Sequence, residues 1–242
     1  MLKRPNFKEG SVLLVDKPLT WTSFDVVNKL RYNLKRALEV KKHKVGHAGT
    51  LDPLATGLLI ICTGKKTKAI NEYMGLPKTY TGTITLGGTT PSYDLETEIE
   101  SSGGTVTFSL IELQKATEPF IGKIQQFPPD FSAIKKNGKK SYELARKGFS
   151  ADLPAREIEI ISYSISTIAP SKHVEGGLDC AFEVVCSKGT YIRSLAHDLG
   201  KALGCGGFLS SLRRTAIGEY SVENALSVEE TVSMIESITI PD

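Results

Sequence analysis

One acid, Asp52, lies in the most constrained stretch of this 242-residue chain. Residues 46–59 read GHAGTLDPLATGLL, and their three glycines permit positive φ or a close backbone approach. Pro53 fixes its own φ and disfavours the helical region for Asp52. The apolar run 58–62 has the length of a buried strand. The pattern predicts a carboxylate in an extended or turn conformation on a loop before a core strand, which is a suitable place for catalysis.

The same residues fit a simpler structural interpretation. An Asp followed by Pro often begins a helix, with Asp as the N-cap and Pro at the first helical position. Spacing alone favours this interpretation, because such caps are far commoner than catalytic acids. One carboxylate can also serve both purposes, so the two interpretations are compatible.

Hydrophobic periodicity predicts both strands and helices. Residues 78–86 alternate apolar and Thr side chains, which predicts a strand with Tyr80 on the apolar side, as a core aromatic or a site residue. We expect further strands at 11–15, 58–62, 156–168, 178–186 and 208–217, the pair 156–168 and 178–186 being antiparallel. We expect helices after Thr22, at 65–74, from Ser109 to about Thr117, at 191–203 and after Ser227, with capping boxes at Thr22/Asp25, Ser109/Glu112 and Ser227/Glu230.

The charge is unevenly distributed along the chain. The net charge is only +3, but all 30 Lys and Arg and 21 of the 27 acids precede residue 215, giving that part a net charge of +9. Residues 29–44 contain seven Lys or Arg and one acid, and residues 127–148 contain six Lys or Arg interleaved with Phe131 and Tyr142. Such segments suit RNA, because charge holds phosphates and rings contact bases or sugars. A solvated helix face and a mobile surface loop, closed by an Asn137-Gly138 turn, are the alternatives.

Several classes of protein are excluded by missing patterns. No apolar run approaches the ~20 residues of a membrane span, and no secretory signal is found at the N-terminus. The four cysteines form no C-x-x-C pair, so we expect free thiols in a cytoplasmic protein. The sequence has no zinc-ligand spacing, no G-x-S-x-G elbow and no dinucleotide-binding glycine fingerprint. Carboxylate, tyrosine and arginine chemistry without metal or cofactor remains.

Six motifs resemble the TruB-type tRNA pseudouridine synthases in the family's own order. The first is the Asp52 motif, GHAGTLDPLATGLLIICTGKKTK. The others are LLVDKP at 13–18, KTYTGTITLG at 78–87, SAIKKNGKKSYELARKG at 132–148, SKGTYIRSLAHDLG at 187–200 and LRRTAIGEY at 212–220. One such motif would be weak support, whereas six in order from about residue 11 to 220 are very specific.

The resemblance implies roles for individual residues. Asp52 matches the catalytic aspartate, a nucleophile or proton acceptor, and Arg193 matches the arginine expected to keep it ionised and aimed. Tyr80 matches the active-site tyrosine that packs on the uracil ring and is expected to act in proton removal at C5. The substrate-binding set expected near the flipped nucleotide comprises His47, Asp94, Tyr191 and Leu212. The residues expected at the RNA backbone are Lys35, Arg36, Lys135, Lys136, Lys139, Lys140 and Arg214.

The resemblance also implies a fold and an activity. We expect one α+β catalytic domain over residues 1–242, with the pseudouridine synthase fold, a mixed and mainly antiparallel sheet, flanking helices and a protruding, thumb-like RNA-binding segment at 127–152. The expected function is isomerisation of uridine-55 in the tRNA T-loop, by base flipping and without cofactor or metal. The partner would be the T-arm of tRNA, and the protein would be a cytoplasmic monomer that binds no membrane.

The chain departs from the family pattern at three places. Thr20 stands where a glycine is usual after Lys-Pro, and Pro91-Ser92 replace a more usual Asp-Thr before Asp94. Pro91 and Ser92 change the side chains that the loop before Asp94 offers for base contacts. The extra RNA-binding module of the PUA kind, which many members carry, is expected to be absent, so the catalytic domain alone would hold the RNA.

Two other functions remain as competitors. A non-catalytic RNA-binding protein or RNA chaperone could have kept the fold, but the intact set of Asp52, Tyr80 and Arg193 favours an enzyme. A synthase acting on another RNA, or a guide-dependent relative, is the second competitor. No added extension for docking RNA-protein partners is found in the sequence, which disfavours the guided kind.

Overall fold

The computed structural model describes residues 5–132, 134–136, 138–150 and 152–237. The chain divides into two compact units, the first made of residues 1–80 and 213–242 and the second of residues 81–212. The expectation of one catalytic domain therefore stays a prediction. Within the described ranges, no helix is long and apolar enough to cross a membrane.

The elements are numbered along the chain. The strands are β1 (Val12–Lys17), β2 (Val45–His47), β3 (Ala55–Thr63), β4 (Lys78–Leu86), β5 (Gly88–Thr89), β6 (Glu100–Ser101), β7 (Gly122–Gln126), β8 (Lys135–Lys136), β9 (Lys139–Lys140), β10 (Arg156–Pro170), β11 (Leu178–Cys186), β12 (Gly207–Ile217), β13 (Tyr220–Ser221) and β14 (Leu226–Ser227). The α-helices are α1 (Ser23–Ala37), α2 (Ile70–Gly75), α3 (Leu110–Thr117), α4 (Ser141–Ala145), α5 (Ile192–Ala202) and α6 (Val228–Glu236). Short 3-10 helices cover Gly64–Ala69, Glu118–Phe120 and Val222–Asn224.

The first unit is a sheet covered by α1 and α6. Its strands follow the order β14-β1-β3-β12, with β2 paired to β3 and β13 paired to β12. Strands β1 and β3 are antiparallel, whereas β1 and β14 are parallel. Leu13 and Val15 of β1 pack with Leu30 and Leu34 of α1 and with Ile235 of α6. This core supports the loop that carries Asp52, since that loop leads directly into β3.

The second unit contains α3, α4 and α5 and the strand order β12-β4-β11-β10-β7, where residues 81–86 of β4 and 207–212 of β12 belong to this unit and the rest of both strands to the first. Strands β10 and β11 are antiparallel, as expected, and β10 also pairs antiparallel with β7. Tyr163 of β10 lies edge-on to Phe120 and Phe182, each with ring centroids 6.3 Å away. Strands β8 and β9 form the hairpin predicted for the basic segment, while Asn137 of its turn lies outside the described residues.

Most of the expected elements are confirmed. The mixed, mostly antiparallel sheet with α-helices confirms the α+β class. All three capping boxes are present, at the N-termini of α1, α3 and α6. The helix expected at 65–74 begins as the 3-10 helix Gly64–Ala69 before α2.

The interpretation of Asp52 as a helix N-cap is wrong. No helix follows Pro53; the Asp52 carbonyl accepts a hydrogen bond from Ala55 N at 3.1 Å, which closes a turn. Strand β3 begins at Ala55, and its Gly57 pairs with Lys17 of β1. The residues that would form the helix are therefore part of β3 and pair with β1. Asp52 itself lies in a turn, as the extended or turn interpretation predicted.

Candidate active site

Asp52 lies half-buried in a loop whose backbone is held on both sides of it. The Ser23 hydroxyl donates to Leu51 O at 3.1 Å and accepts from Leu51 N at 2.8 Å, so one buried side chain satisfies both backbone groups of the preceding residue. On the other side, the turn from Asp52 to Ala55 leads into β3. The carboxylate is thus attached to a backbone with little freedom to move.

Arg214 supports the same loop through hydrogen bonds to its backbone carbonyls. It is 1% exposed, and its Nε donates to Leu58 O at 2.8 Å. Its Nη2 donates to Gly49 O at 3.1 Å and its Nη1 to Thr50 O at 3.4 Å. Gly49, whose carbonyl accepts one of these hydrogen bonds, has a φ of 109°, a backbone conformation that favours glycine.

The burial of Arg214 corrects its expected role. A side chain at the RNA backbone must reach a phosphate, but this guanidinium donates to backbone carbonyls inside the first unit. We therefore assign Arg214 to support of the loop and not to RNA contact. Adjacent strand residues face opposite sides of a sheet, and Arg213 is the one that is partly exposed, with an ion pair to Asp16 at 2.6 Å.

Thr20 contacts the loop through its backbone. Its N donates to Pro53 O at 2.8 Å, and its φ is 69°. The left-handed region is unfavourable for a β-branched residue and costs roughly 1–2 kcal/mol. The family's usual glycine would adopt this conformation without that cost, so the departure noted in the sequence places strain beside the Asp52 turn.

Lys17 brings a second buried cation to the loop. It is 0% exposed, and its Nζ donates to Trp21 O at 2.6 Å and Pro18 O at 2.9 Å. Burial lowers the pKa of Lys17 to about 8, while the Asp52 carboxylate opposes the shift and Arg214 adds to it. Asp52, Lys17 and Arg214 therefore form one electrostatic cluster within the first unit.

Sequence reasoning assigned no role to Lys17, and the burial of its strand in the structure reveals its environment. The burial of β1 alternates, so Leu13, Val15 and Lys17 share the inward face. A lysine that continues the apolar face of a strand is buried, and a buried lysine needs acceptors or a nearby carboxylate. The position of Lys17 in the alternation of β1 therefore indicates a buried cation.

His47 and Tyr80 complete the expected set in the first unit. His47 lies half-buried on β2, and burial, assisted by the positive charge of Arg214, lowers its pKa. Its imidazole is therefore neutral at physiological pH and can contact an uncharged base without a charge penalty. Tyr80 is buried on β4, as its alternation predicted.

Arg193 is held within the second unit by a carboxylate and two carbonyls. It is 4% exposed, and its Nε lies 3.5 Å from Asp94 Oδ2. Its Nη1 donates to Ser92 O at 3.1 Å and its Nη2 to Phe131 O at 2.9 Å. Asp94 is also buried, and its Oδ1 accepts from Glu96 N at 2.9 Å. The structure thus brings two predicted site residues, Arg193 and Asp94, into one ion pair, while the expected action of Arg193 on Asp52 stays a prediction.

Gln126 and Ser194 fix the start of the helix that carries Arg193, and sequence reasoning missed both. The buried Gln126 side chain donates to Tyr191 O at 3.0 Å and accepts from Tyr191 N at 2.8 Å. The Ser194 hydroxyl donates to Phe127 O at 2.8 Å. These contacts join residues more than sixty positions apart, so no local sequence pattern could have predicted them.

Tyr191 and Leu212, the expected lining of the base pocket, are both half-buried. Tyr191 is the N-cap residue of α5, and the Arg156 guanidinium lies 5.2 Å from its ring centroid. Leu212 lies on β12. Their contact with a base remains a prediction.

The basic segments combine exposed cations with aromatic rings. On α1, Lys35 and Arg36 are exposed, and the Arg36 guanidinium lies 5.7 Å from the Tyr32 ring centroid. In the hairpin segment, Lys140 Nζ lies 5.3 Å from the Tyr142 ring centroid. The side chains of the other three hairpin lysines lie outside the described residues: Lys135, Lys136 and Lys139. Contact of these segments with RNA stays a prediction.

Two family models that together span residues 35–237 give the class of this protein, that of the pseudouridine synthases. The family model described as "TruB family pseudouridylate synthase (N terminal domain)" matches residues 35–192. A second family model, "tRNA pseudouridylate synthase B C-terminal domain", matches residues 193–237. This chain belongs to the TruB family.

Relatives support the assignment along nearly the whole chain. It is 52% identical over 223 residues to tRNA pseudouridine synthase B of Flavobacterium johnsoniae, covering 92% of this chain and 94% of the relative. It is also 52% identical over 229 residues to tRNA pseudouridine synthase B of Phocaeicola vulgatus, covering 93% of this chain and 92% of the relative.

Solved structures show the same fold in larger proteins. A Cbf5–Nop10–Gar1 complex matches with a TM-score of 0.67 and 27% identity, over 96% of this chain. An H/ACA ribonucleoprotein bound to a substrate RNA containing 2′-deoxyuridine matches with a TM-score of 0.65 and 26% identity. In both cases this chain spans 56% of the length of the chain it matches.

Proposed function

We propose that this protein converts uridine-55 to pseudouridine in the T-loop of tRNA, with Asp52 as its catalytic carboxylate. Membership of the TruB family and two relatives named tRNA pseudouridine synthase B support the activity and the substrate. The observation that carries the role of Asp52 is its loop, whose backbone Ser23, Arg214 and Thr20 hold in place on both sides of the carboxylate. A carboxylate that only faced solvent would need no such support.

The reaction requires little beyond a placed carboxylate. The C1′–N1 bond of uridine breaks, the base turns, and a C1′–C5 bond forms; C5 then loses its proton and N1 gains one. No electron is transferred to or from the substrate and no water is consumed. Asp52 can attack as a nucleophile or accept a proton from the sugar, and fixed positive groups near it need no reorganisation during the reaction.

The neighbouring residues take supporting roles in this proposal. Lys17 and Arg214 supply positive charge to the aspartate loop. Tyr80 packs on the uracil ring and acts in proton removal at C5, as the resemblance implies. The base is flipped out of its stack, which costs a few kcal/mol. The resemblance also supports roles at the flipped nucleotide and its pocket for His47, Asp94, Tyr191, Arg193 and Leu212.

The proposed partner is the T-arm of tRNA, held by the exposed cations of α1 and of the segment 127–152. Charge-neutralising contacts of this kind bind any phosphate backbone and weaken with salt. The proposal includes a monomer in the cytoplasm that needs no metal, cofactor or membrane.

Tritium release from C5-labelled tRNA tests the activity. Purified protein alone is incubated with tRNA carrying tritium at C5 of uridine, in the presence of a chelator. We expect release of one tritium equivalent per tRNA, with the modified nucleotide mapped to position 55. A tRNA with cytidine at position 55 is the matched control and should release none.

Other outcomes would favour the competitors. Tight tRNA binding without tritium release would support a non-catalytic RNA chaperone. Release that appears only after a guide RNA or partner proteins are added would support a guide-dependent enzyme. Release from another position would contradict the proposed substrate site.

A further inference from the structure

We propose that Tyr93 is a positioning residue that sets the Arg193 guanidinium by stacking on His197. This inference rests on the proposed function, because it assumes that Arg193 acts in the reaction. It adds a residue to which the family resemblance gives no role, and every contact that supports it lies within the second unit.

The two neighbours of Tyr93 in sequence both bind Arg193. Ser92 presents its carbonyl to Nη1 at 3.1 Å, and Asp94 presents its carboxylate to Nε at 3.5 Å. A change in the backbone direction at Tyr93 would therefore displace two of the groups that hold the guanidinium. The conformation of Tyr93 therefore affects two of the three groups that hold the Arg193 guanidinium, the third being Phe131 O.

The backbone of Tyr93 is strained. Its φ is 62°, in the left-handed region that bulky side chains rarely adopt. Such conformations cost about 1–3 kcal/mol and persist when the surroundings over-determine them, most often at functional sites. The loop around Tyr93 supplies part of that restraint, because the Thr90 and Ser92 hydroxyls donate to Asp94 O at 2.7 and 3.2 Å.

The ring of Tyr93 ties this loop to the helix that carries Arg193. Its centroid lies 3.9 Å from that of His197, and the two planes are 14° apart. His197 follows Arg193 by four residues on α5, so both side chains project from one face of the helix. The Tyr93 carbonyl accepts from Leu209 N at 2.9 Å, which anchors the loop to β12 as well. The stack thus fixes the position of the loop relative to the helix that carries Arg193.

Three variants separate positioning from stability. Tyr93→Gly relieves the backbone strain but removes a half-buried ring and its stack, two opposing effects, so we expect a melting temperature within a few degrees of the wild type. Its single-turnover rate on tRNA should nevertheless fall about tenfold, a loss typical of a displaced catalytic group, with tRNA affinity within about twofold. Tyr93→Phe keeps the stack and should retain the wild-type rate. His197→Leu removes the stack from the other side and should match Tyr93→Gly in rate.

A double-mutant cycle shows whether Tyr93 acts through Arg193. In an Arg193→Ala background, adding Tyr93→Gly should cause no further loss of rate, because the group it positions is gone. Tyr220→Ala, which removes the edge-on partner of Tyr73 in the first unit, is the control for loss of an aromatic pair and should keep the wild-type rate.

The outcomes distinguish this inference from the proposed function. Full activity of Tyr93→Gly beside an inactive Arg193→Ala would overturn the positioning role and leave the role of Arg193 standing. Independent, multiplicative losses in the double variant would also overturn it. Full activity of Arg193→Ala would overturn both.

Discussion

The two units of the molecule each bury an arginine that donates to backbone carbonyls, but we propose different roles for the two side chains. Arg214 of the first unit donates to three backbone carbonyls and thereby fixes the loop of another residue, Asp52. Arg193 of the second unit is itself the group that is held, by two carbonyls and the Asp94 carboxylate. Burial alone therefore does not separate the two arginines, since both donate to carbonyls; Arg193 also forms an ion pair with Asp94.

The difference between the two arginines predicts whether a substitution near each of them reduces stability or reaction rate. Loss of a guanidinium that supports backbone should reduce stability first and activity as a consequence. Loss of contacts that position a side chain should reduce the rate more than the stability. Four predictions, in order of decreasing effect, test this division.

Replacing Arg214 should cost the most stability. Arg214→Met keeps much of the buried volume but leaves three carbonyls without their donor, and we expect the free energy of unfolding to fall by about 3–5 kcal/mol. Urea denaturation gives this value. Arg213→Met is the matched control, because its partly exposed ion pair with Asp16 should be worth less than about 1 kcal/mol. Equal losses in the two variants would remove the distinction between a buried support and a surface pair.

Replacing Gln126 tests the support of α5 in the second unit. Gln126→Leu leaves the backbone N and O of Tyr191 without their present partner, so unfolding should become easier by about 2–3 kcal/mol. The neighbouring Gln125 is exposed on β7, and Gln125→Leu should change stability by less than about 0.5 kcal/mol. Thermal and urea unfolding of both proteins check the difference. A Gln126→Leu protein as stable as the control would show that the amide is dispensable.

The buried Lys17 predicts a pH dependence of stability. Its folded pKa of about 8 lies below its ordinary 10.5, so the folded state binds fewer protons than the unfolded state between these values. The cost of burying the ammonium is present below pH 8 and disappears as the pH rises through this window. Relative to Lys17→Met, wild-type stability should therefore rise by about 2 kcal/mol between pH 7 and pH 9.5.

Urea denaturation of both proteins at the two pH values measures this linkage. Lys17→Met supplies the reference, since it lacks the titrating group and any common effect of pH cancels. A stability difference that stays constant over the window would show that Lys17 does not titrate there.

The smallest effect should be a gain. Thr20→Gly removes the left-handed strain beside Pro53, and we expect the free energy of unfolding to rise by about 0.5–1 kcal/mol after the greater entropy of glycine in the unfolded state is included. Differential scanning calorimetry would show a higher melting temperature. Thr22→Gly, which removes the N-cap side chain of α1, should lower stability by a few tenths of a kcal/mol. A loss of stability in Thr20→Gly would contradict strain at this position.

Local rules in the sequence predicted what depends on near neighbours. The capping boxes of α1, α3 and α6 need residues only three apart, and the alternation of β4 needs only its own side chains. The inward position of Lys17 was not among these predictions, because residues 12–15 are all apolar and only the burial seen in the structure alternates. Asp52 shows the limit of such rules, because β1 pairs with the residues that a local rule gave to a helix.

Other features depend on the fold and could not be derived from the sequence. Arg213 and Arg214 are adjacent basic residues on one strand, and the sequence does not say which of the two faces is covered. The contacts of Ser23 with Leu51 and of Gln126 with Tyr191 span 28 and 65 residues. The stack of Tyr93 on His197 is equally hidden, because the two residues lie more than a hundred positions apart.

The most direct test of the account is the single-turnover rate of Asp52→Asn on C5-tritiated tRNA. The amide keeps the size of the side chain and removes its charge and nucleophilicity. We predict a loss of at least about a thousandfold in rate, as found when a group that acts in the chemical step is removed, with tRNA affinity and melting temperature close to the wild type. A folded, tRNA-binding Asp52→Asn protein that releases tritium within a few fold of the wild-type rate would contradict it.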